Sequence, residues 1–148
     1  MLARDAMTAN PVVVTPEESI GRAAEIMRDF DVGVVPVVAD RQSLRLVGML
    51  TDRDAAVRCL AAHHTGACRV RDHMTTGTLV TADPGDSLEV LVARMERAQV
   101  RRVPVVQPDG RLLGIVAQAD IAMRLGPDSP AAIEELLERI SEPAGTLT

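Results

Sequence analysis

The chain has 148 residues, 47% of them hydrophobic and 25% charged, a composition typical of a compact globular protein. Its net charge of −5 argues against general nucleic-acid binding, which depends on a basic surface. All 16 basic residues are Arg, which excludes a catalytic Schiff-base lysine and a P-loop, whose Lys contacts the phosphates.

Near its start the chain carries a five-residue motif, Arg4-Asp5-Ala6-Met7-Thr8. The motif returns as Arg71-Asp72-His73-Met74-Thr75, with one substitution. The segments after each copy also match one another, in the same order. An ordered repeat of this kind predicts two copies of one supersecondary unit, each of them marginal alone.

Each copy predicts the same elements: strand, helix, strand, hairpin, strand and helix. The first strand is predicted at Val12-Val13-Val14 and again at Leu79-Val80. Ser19 and Ser87 stand where N-caps belong, each ahead of apolar residues at helical spacing. The later strands are predicted at 32–38, 46–50, 100–106 and 112–116, with a helix after each second strand.

Pro36 and Pro104 occupy matching places in the two β-branched runs. Because Pro cannot donate to a ladder, these runs are expected at a sheet edge or a strand start. Continuous apolar strands that alternate with helices predict an α/β (α+β) unit whose sheet is covered.

These patterns also give domain boundaries. We expect the first repeat at 3–62, a linker at 63–70 and the second repeat at 71–125. Gly126-Pro127-Asp128 interrupts the pattern, so residues 126–148 are predicted to form a last amphipathic helix and a tail.

Other features of the sequence bear on the cellular location and on the partners of the protein. Two Cys make no disulfide framework, the N-terminus shows no signal-peptide pattern, and no apolar stretch approaches the about 18 residues of a membrane span. Phe30 is the only aromatic residue besides His, so a stacking platform for single-stranded nucleic acid is not expected. We therefore predict a reduced cytoplasmic location with no membrane partner and no nucleic-acid partner.

The repeated unit resembles the cystathionine-β-synthase-type (CBS) repeat, and the pair resembles a Bateman module. The resemblance covers residues 3–125 and rests on the Arg-Asp-x-Met-Thr motifs, the apolar-Pro-Val strands and residues 48–54. It extends to the small stand-alone two-repeat proteins of bacteria. It implies two βαββα repeats packed sheet to sheet with pseudo-twofold symmetry. It also implies two clefts for AMP, ADP, ATP or S-adenosylmethionine, and a homodimer.

The first candidate site is Thr51-x-x-Asp54, which has two interpretations. One is a capping box, with Thr51 as N-cap and Asp54 three residues on. The other, which the resemblance favours, places Asp54 on ribose hydroxyls and Thr51 near ribose or phosphate. In the second repeat the motif has Ala117 and Asp120, so the box is broken and the Asp remains.

Further residues are candidates for the phosphate and the base. Guanidinium groups match phosphate oxygens, and the resemblance implies that Arg101 and Arg102 reach the phosphates in the cleft of Asp54. The first repeat has no charge at the equivalent place, so we expect Arg53 to be the cation of the other cleft, with Asp120. The alternative is solvated surface charge. Three apolar residues are candidates to flank an adenine, although a plain core role is the alternative: Met49, Leu79 and Val80.

A candidate metal site lies at the linker. Cys59, His63, His64 and Cys68 offer the N and S ligands that zinc prefers. Their spacing matches no zinc finger, and the alternative is a helix end and a polar linker without metal. His73 is expected to be incidental, because Ala6 occupies the equivalent position.

Three functions remain open. The leading one is an adenosine-ligand sensor without catalytic machinery, because no nucleophile, metalloprotease or dinucleotide motif occurs. We expect that such a sensor requires no cofactor. Its output passes to an unknown effector protein in trans or to the oligomeric state. The alternatives are a ligand-free protein-interaction or dimerisation module and a zinc-binding protein that uses Cys59, His63 and Cys68.

Overall fold

The structure, a computed structural model, describes residues 1–65, 67–77 and 79–125, without the side chain of Leu125. The predicted C-terminal helix and tail at 126–148 lie outside the described residues. In chain order the elements are α1 (Ala3–Ala6), β1 (Thr8–Ala9), α2 (Ile20–Asp29), β2 (Val34–Val38), β3 (Leu46–Thr51), α3 (Asp52–Asp54), a π-helix (Ala55–Leu60), a 3-10 helix (Val70–Asp72), α4 (Leu88–Ala98), β4 (Arg102–Val106), β5 (Leu112–Ala117) and α5 (Gln118–Leu125). This mixture of helices and strands confirms the predicted α+β class.

Two compact units make up the described chain. The first unit contains residues 11–79 and 109–112; the second contains residues 1–10, 80–108 and the described residues from Leu113 onward. The opening segment of each sequence repeat is therefore built into the unit that holds the main part of the other repeat.

Each opening segment is held by the same three backbone hydrogen bonds. In both units two N–H groups of the segment donate to carbonyls of the loop before a long helix, and the first residue of that helix donates back. In the second unit these bonds are Ala3 N to Asp86 O (2.8 Å), Arg4 N to Pro84 O (3.2 Å) and Leu88 N to Met1 O (3.2 Å). In the first unit they are Val70 N to Glu18 O (2.9 Å), Arg71 N to Pro16 O (3.0 Å) and Ile20 N to Cys68 O (2.7 Å).

The two long helices begin at the predicted serines. Ser19 Oγ accepts from Arg22 N at 3.0 Å, and Ser87 Oγ accepts from Val90 N at 3.2 Å. These bonds satisfy amides that a helix leaves without partners in its first turn. The apolar faces are buried as predicted: Ile20, Ala23, Ile26 and Met27 in α2, and Leu88, Leu91 and Met95 in α4.

The sheets match the predicted hairpins. In the first unit β2 and β3 pair antiparallel, with Pro36 opposite Met49. In the second unit the strand order is β1-β5-β4. Because β2 and β4 are both edge strands, the predicted edge position of Pro36 and Pro104 is confirmed. Gly114 is required in β5, since a Cβ there would lie 2.6 Å from the Thr8 carbonyl oxygen.

The predicted first strands at Val12–Val14 and Leu79–Val80 are wrong. The first keeps a single parallel bridge, Val14 with Val37, and in the second unit the matching bridge, Ala82 with Val105, lies beyond the predicted strand. In the first unit the next ladder bonds would need N–H groups from Pro36 and Pro16, which prolines lack. Pro104 and Pro84 impose the same limit in the second unit, so neither ladder can grow beyond one bridge.

Each unit has its own apolar core. The core of the first unit consists of Val14, Ile20, Ala23, Ile26, Met27, Val35, Val37, Leu50, Cys59 and Val70. The core of the second unit consists of Ala3, Ala6, Ala82, Leu88, Leu91, Met95, Val103, Val105, Val116 and Ile121. Among the described residues, none of the helices combines the length and the hydropathy that a membrane span requires.

Candidate functional site

The turn from β3 into α3 is a complete capping box. Asp54 N donates to Thr51 Oγ1 at 3.0 Å, and Thr51 N donates to Asp54 Oδ2 at 3.0 Å. The other carboxylate oxygen, Oδ1, lies 3.6 Å from Arg58 Nε, and the Asp54 side chain is 12% exposed. The fold therefore uses one oxygen of this carboxylate and leaves the second with a single cationic neighbour.

The turn from β5 into α5 keeps half of this arrangement. Ala117 N donates to Asp120 Oδ2 at 3.0 Å, although Ala117 has no hydroxyl to return the bond. Gln118 begins α5, and its backbone N–H donates to the Arg101 carbonyl at 2.9 Å. The side-chain Oε1 of Gln118 is buried without a partner in the described residues. Gln118 is a polar candidate that the sequence analysis missed.

Arg101 and Arg102 are exposed at the start of β4, and Arg53 is exposed in α3. Within the described residues none of the three guanidinium groups forms an ion pair, so all three are available to an anion. Arg101 and Arg102 belong to the second unit, with Asp120, whereas Arg53 belongs to the first, with Asp54. The predicted pairing of Arg101 and Arg102 with Asp54 in one cleft stays a prediction.

The apolar candidates are all half-buried. Met49 lies in β3 and exchanges backbone hydrogen bonds with Thr75, at 3.0 and 2.8 Å. Leu79 belongs to the first unit, and Val80 packs against the core of the second. Each of the three keeps some exposed apolar surface that an adenine could contact. The contact itself stays a prediction.

The structure brings a second group of residues together in the first unit. The ligand atoms of Cys59, Cys68 and His73 all lie within 4.8 Å of one another. Cys59 is buried, Cys68 is half-buried and His73 is 7% exposed. His73 Nε2 is buried and has no hydrogen-bond partner in the described chain, so a donor or a metal is needed to satisfy it.

Only part of the predicted metal set belongs to this cluster. Cys59 and Cys68 do, as the sequence suggested. His63 lies outside it on an exposed turn, with φ of 64°. His64 is exposed as well, but its ring centroid lies 5.4 Å from that of His73.

The structure buries His73, which we expected to be incidental, and its role stays a prediction. The equivalent residue Ala6 is 4% exposed, so this position lies inside the fold in both repeats. A His placed there is buried whatever its role. The signal available in the sequence was a polar residue at a position whose counterpart is a small apolar one.

Local backbone geometry positions the two thiols. Ala61 N donates to Ala56 O and His64 N donates to Cys59 O, both at 2.9 Å, so the helix that carries Cys59 ends in wide i to i+5 turns. The Thr65 carbonyl then accepts from both Cys59 Sγ (3.4 Å) and Cys68 N (3.1 Å). Such π turns are frequent at functional sites.

The chemistry of the cluster suits a thiophilic metal. Burial, followed by the hydrogen bond and charge of Cys68, raises the pKa of the Cys59 thiol. A tetrahedral zinc ion holds thiolate sulfurs about 3.8 Å apart, a separation compatible with this cluster. The donor set and the unsatisfied His73 nitrogen fit Zn²⁺.

A protein-family model described as the CBS domain matches residues 3–59 and 70–126. The chain belongs to the CBS-domain family. It is a CBS-pair regulatory protein, and its two family segments begin at the two repeat motifs identified in the sequence.

One relative of this CBS pair is Hypoxic response protein 1 of Mycobacterium tuberculosis. It is 38% identical over 141 residues, which cover 95% of this chain and 94% of the relative. This similarity confirms the predicted kinship with stand-alone two-repeat proteins. A crystal structure of Hypoxic Response Protein I with two coordinated zinc ions matches with a TM-score of 0.76, covering 84% of this chain and 99% of that one.

Two further CBS pairs of known structure hold adenosine compounds. The CBS domain pair of protein MJ0100, in complex with 5'-methylthioadenosine and S-adenosyl-L-methionine, has a TM-score of 0.74 at 28% identity and covers 86% of this chain and 97% of that one. CBSX2 in complex with AMP has a TM-score of 0.71 at 29% identity and covers 85% and 96%.

Proposed function

We propose that this CBS pair senses an adenosine-containing ligand: AMP, ADP, ATP or S-adenosylmethionine. The observation that carries the proposal is a carboxylate held in the same way in both repeats. Asp54 and Asp120 each fold back onto the amide that ends the preceding strand, at 3.0 Å. Two related CBS pairs with bound adenosine compounds support it.

The second oxygen of each carboxylate, Oδ1, is the group suited to a ribose, and in Asp54 this oxygen lies 3.6 Å from Arg58 Nε. A ribose diol offers two O–H donors, and hydrogen bonds to an ionised carboxylate are stronger than those to a neutral oxygen. Because the backbone amide already fixes Oδ2, the direction of Oδ1 is set before ligand arrives. Such preorganisation lowers the entropic cost of binding.

Phosphates and the base need other residues. We assign Arg101, Arg102 and Arg53 to phosphate oxygens, because all three guanidinium groups are exposed and form no ion pair within the described chain. Met49, Leu79 and Val80 would flank the adenine with their remaining exposed apolar surface.

The output of the module is regulatory and not catalytic. A ligand shifts a conformational equilibrium only by the difference in its affinity for the two states, so a receiving partner is required. We propose a homodimer and an effector protein in trans. The π-helix exposes Val57 (52%) and Leu60 (64%), apolar side chains that a second chain could cover. Light scattering would give the oligomeric mass, and Leu60→Ser should lower it.

The test uses the weak near-ultraviolet absorbance of a chain without Trp or Tyr. An adenine compound carried through purification would dominate the spectrum near 260 nm, and calorimetric titration with AMP, ATP and S-adenosylmethionine would rank the ligands. Asp54→Asn should weaken binding, because Asn keeps an oxygen for the Thr51 amide but loses the carboxylate charge. Asp52→Asn, an exposed neighbour in the same turn, is the matched control.

Two results would count against the sensor. Equal affinity in Asp54→Asn and Asp52→Asn would remove Asp54 from the site. No heat with any of the three ligands would favour the module that acts through protein contacts alone.

A second candidate function, zinc binding, is favoured by the unsatisfied His73 nitrogen beside two thiols. Cys59, Cys68 and His73 supply three ligands of the preferred kind, and His64 is the nearby imidazole for a fourth. A solved relative has coordinated zinc ions. The bound ion would neutralise two thiolates and satisfy Nε2.

Zinc content per chain, measured after purification without chelator, tests this candidate. We expect about one zinc per chain and its loss in His73→Ala. His63→Ala is the control, since His63 lies outside the cluster. Zinc content that is unaffected by His73→Ala would exclude the site.

A further inference from the structure

We infer that Cys59 and Cys68 are a reversible oxidation site that closes to an intramolecular disulfide when a hydroperoxide reaches the first unit. The disulfide itself depends on neither of the functions proposed above. Only its competition with zinc rests on the proposed metal site.

The geometry brings the two sulfurs to within 4.8 Å of each other. A disulfide bond is about 2.05 Å long, so the sulfurs must approach by less than about 3 Å. Side-chain rotation accounts for part of this approach. The rest requires a small shift of the backbone at Cys59 or Cys68, and a turn at His63 with φ of 64° lies between them.

One weak contact must break for the approach. The Cys59 thiol donates to the Thr65 carbonyl at 3.4 Å. The same carbonyl accepts the Cys68 amide at 3.1 Å, so it keeps a partner when the thiol leaves. Oxidation therefore leaves no backbone acceptor of this turn without a hydrogen bond.

The two thiols differ in access, which assigns their order of reaction. Cys68 is half-buried and open to a small oxidant, whereas Cys59 is 0% exposed. The Cys68 thiolate attacks the peroxide: an S–O bond forms, the O–O bond breaks, and the leaving alkoxide or hydroxide takes up a proton. Cys68 is now a sulfenic acid.

Cys59 completes the reaction from the buried side. Its sulfur attacks Cys68 Sγ, the S–S bond forms and the S–OH bond breaks. The departing hydroxide takes the Cys59 thiol proton and leaves as water. Two thiols have lost two electrons, and the hydroperoxide has been reduced to alcohol and water. A dithiol reductant reverses the change.

A disulfide has no thiolate to offer a metal, so oxidation and zinc binding exclude each other at this cluster. Zinc should protect the thiols, and oxidation should release zinc. His73 would remain as a single imidazole ligand, which is too few for a closed zinc site.

Peptide mapping provides a sharp test, because trypsin cuts after Arg58 and Arg69 and both cysteines fall in the peptide 59–69. The full chain is stripped of metal with a chelator, treated with hydrogen peroxide and alkylated without reduction. We expect this peptide to lack both alkyl groups and to be lighter than the dithiol form by two hydrogen atoms. Reduction should then allow two alkyl groups to be added.

Cys59→Ser is the matched variant, since its Cys68 should stop at the sulfenic acid or a higher oxide. A wild-type peptide with an oxidised Cys68 and an alkylated Cys59 overturns the proposal, and so does a disulfide between two chains. A zinc-loaded sample separates the two inferences. Oxidation at least tenfold slower than in metal-free protein supports the shared site, whereas equal rates with zinc retained overturn the competition and leave the disulfide standing.

Discussion

The turn after β3 and the turn after β5 both join a strand to a helix, but they are capped by different side chains. In the first, Thr51 and Asp54 exchange two hydrogen bonds of 3.0 Å. In the second, Ala117 offers no hydroxyl, yet Asp120 still accepts its backbone N–H at 3.0 Å. The carboxylate therefore holds its place without the hydroxyl, by bonding the last amide of the strand.

This difference separates two roles that the sequence motif combines. The hydroxyl caps a helix and contributes to stability. The carboxylate also caps, but it keeps a second oxygen that takes no part in the cap. The two turns also lead into different helices, since α5 continues as an α-helix while the first turn leads through a π-helix to Cys59 and its cluster.

The largest predicted effect concerns the cluster of Cys59, Cys68 and His73, which includes a residue of the helix that follows the first turn. Zinc must displace the protons of Cys59 and Cys68, so affinity should rise with pH, by about 100-fold per unit while both thiols are protonated. The raised pKa of the Cys59 thiol extends this rise toward higher pH. Competition with a chelating dye at several pH values measures the slope, and Cys68→Ser should halve it. A flat profile would exclude thiolate ligation.

The next effect compares the two carboxylates directly. Asp54→Ala should weaken binding of the adenosine ligand by about 1–3 kcal/mol, the usual cost of a lost hydrogen bond to a charged group. Asp120→Ala should cost less, because the second motif lacks the hydroxyl that the resemblance places near ribose or phosphate. Calorimetry on both variants gives the ranking. A larger loss in Asp120→Ala would contradict this ranking.

Thr51→Ala makes the first turn resemble the second. It should lower the free energy of unfolding by about 1 kcal/mol, the typical value of an N-cap. Thr51→Ser retains the hydroxyl and should retain most of the stability. Urea unfolding of the three proteins measures this difference; equal midpoints would show that the Thr51 hydroxyl contributes nothing to the cap.

The reverse change should have the smallest effect. Ala117→Thr supplies the missing hydroxyl to the Asp120 amide and should raise the free energy of unfolding by about 0.5 kcal/mol. Ala117→Val adds the same volume without the hydroxyl, so it separates capping from packing. If the two variants are equally stable, the hydroxyl does not cap this helix.

Local rules in the sequence predicted much of the fold. Ser19 and Ser87 marked the helix starts, because an N-cap acts on amides only three residues away. The prolines in β2 and β4 indicated edge strands correctly. The same reasoning failed for the first strands, because it did not combine Pro36 with Pro16, or Pro104 with Pro84, as limits on one ladder.

The cluster of Cys59, Cys68 and His73 could not be predicted in full from short-range spacing. Cys59 and His63 stand four residues apart, which on an α-helix puts them on one face. The π-helix instead puts Cys59 in the core, and the turn leaves His63 exposed. His73 joins through tertiary folding of the second repeat motif into the first unit, which no short-range spacing records.

The exchange of opening segments has a consequence for biosynthesis. Thr8 is paired with Ile115, so β1 stays without its neighbour until the ribosome has translated more than 100 further residues, those that separate the two partners. Proteolysis at residues 63–70 would likewise leave two fragments, each lacking a piece that the other carries. Such fragments should find each other and reassemble, as the halves of a split reporter do.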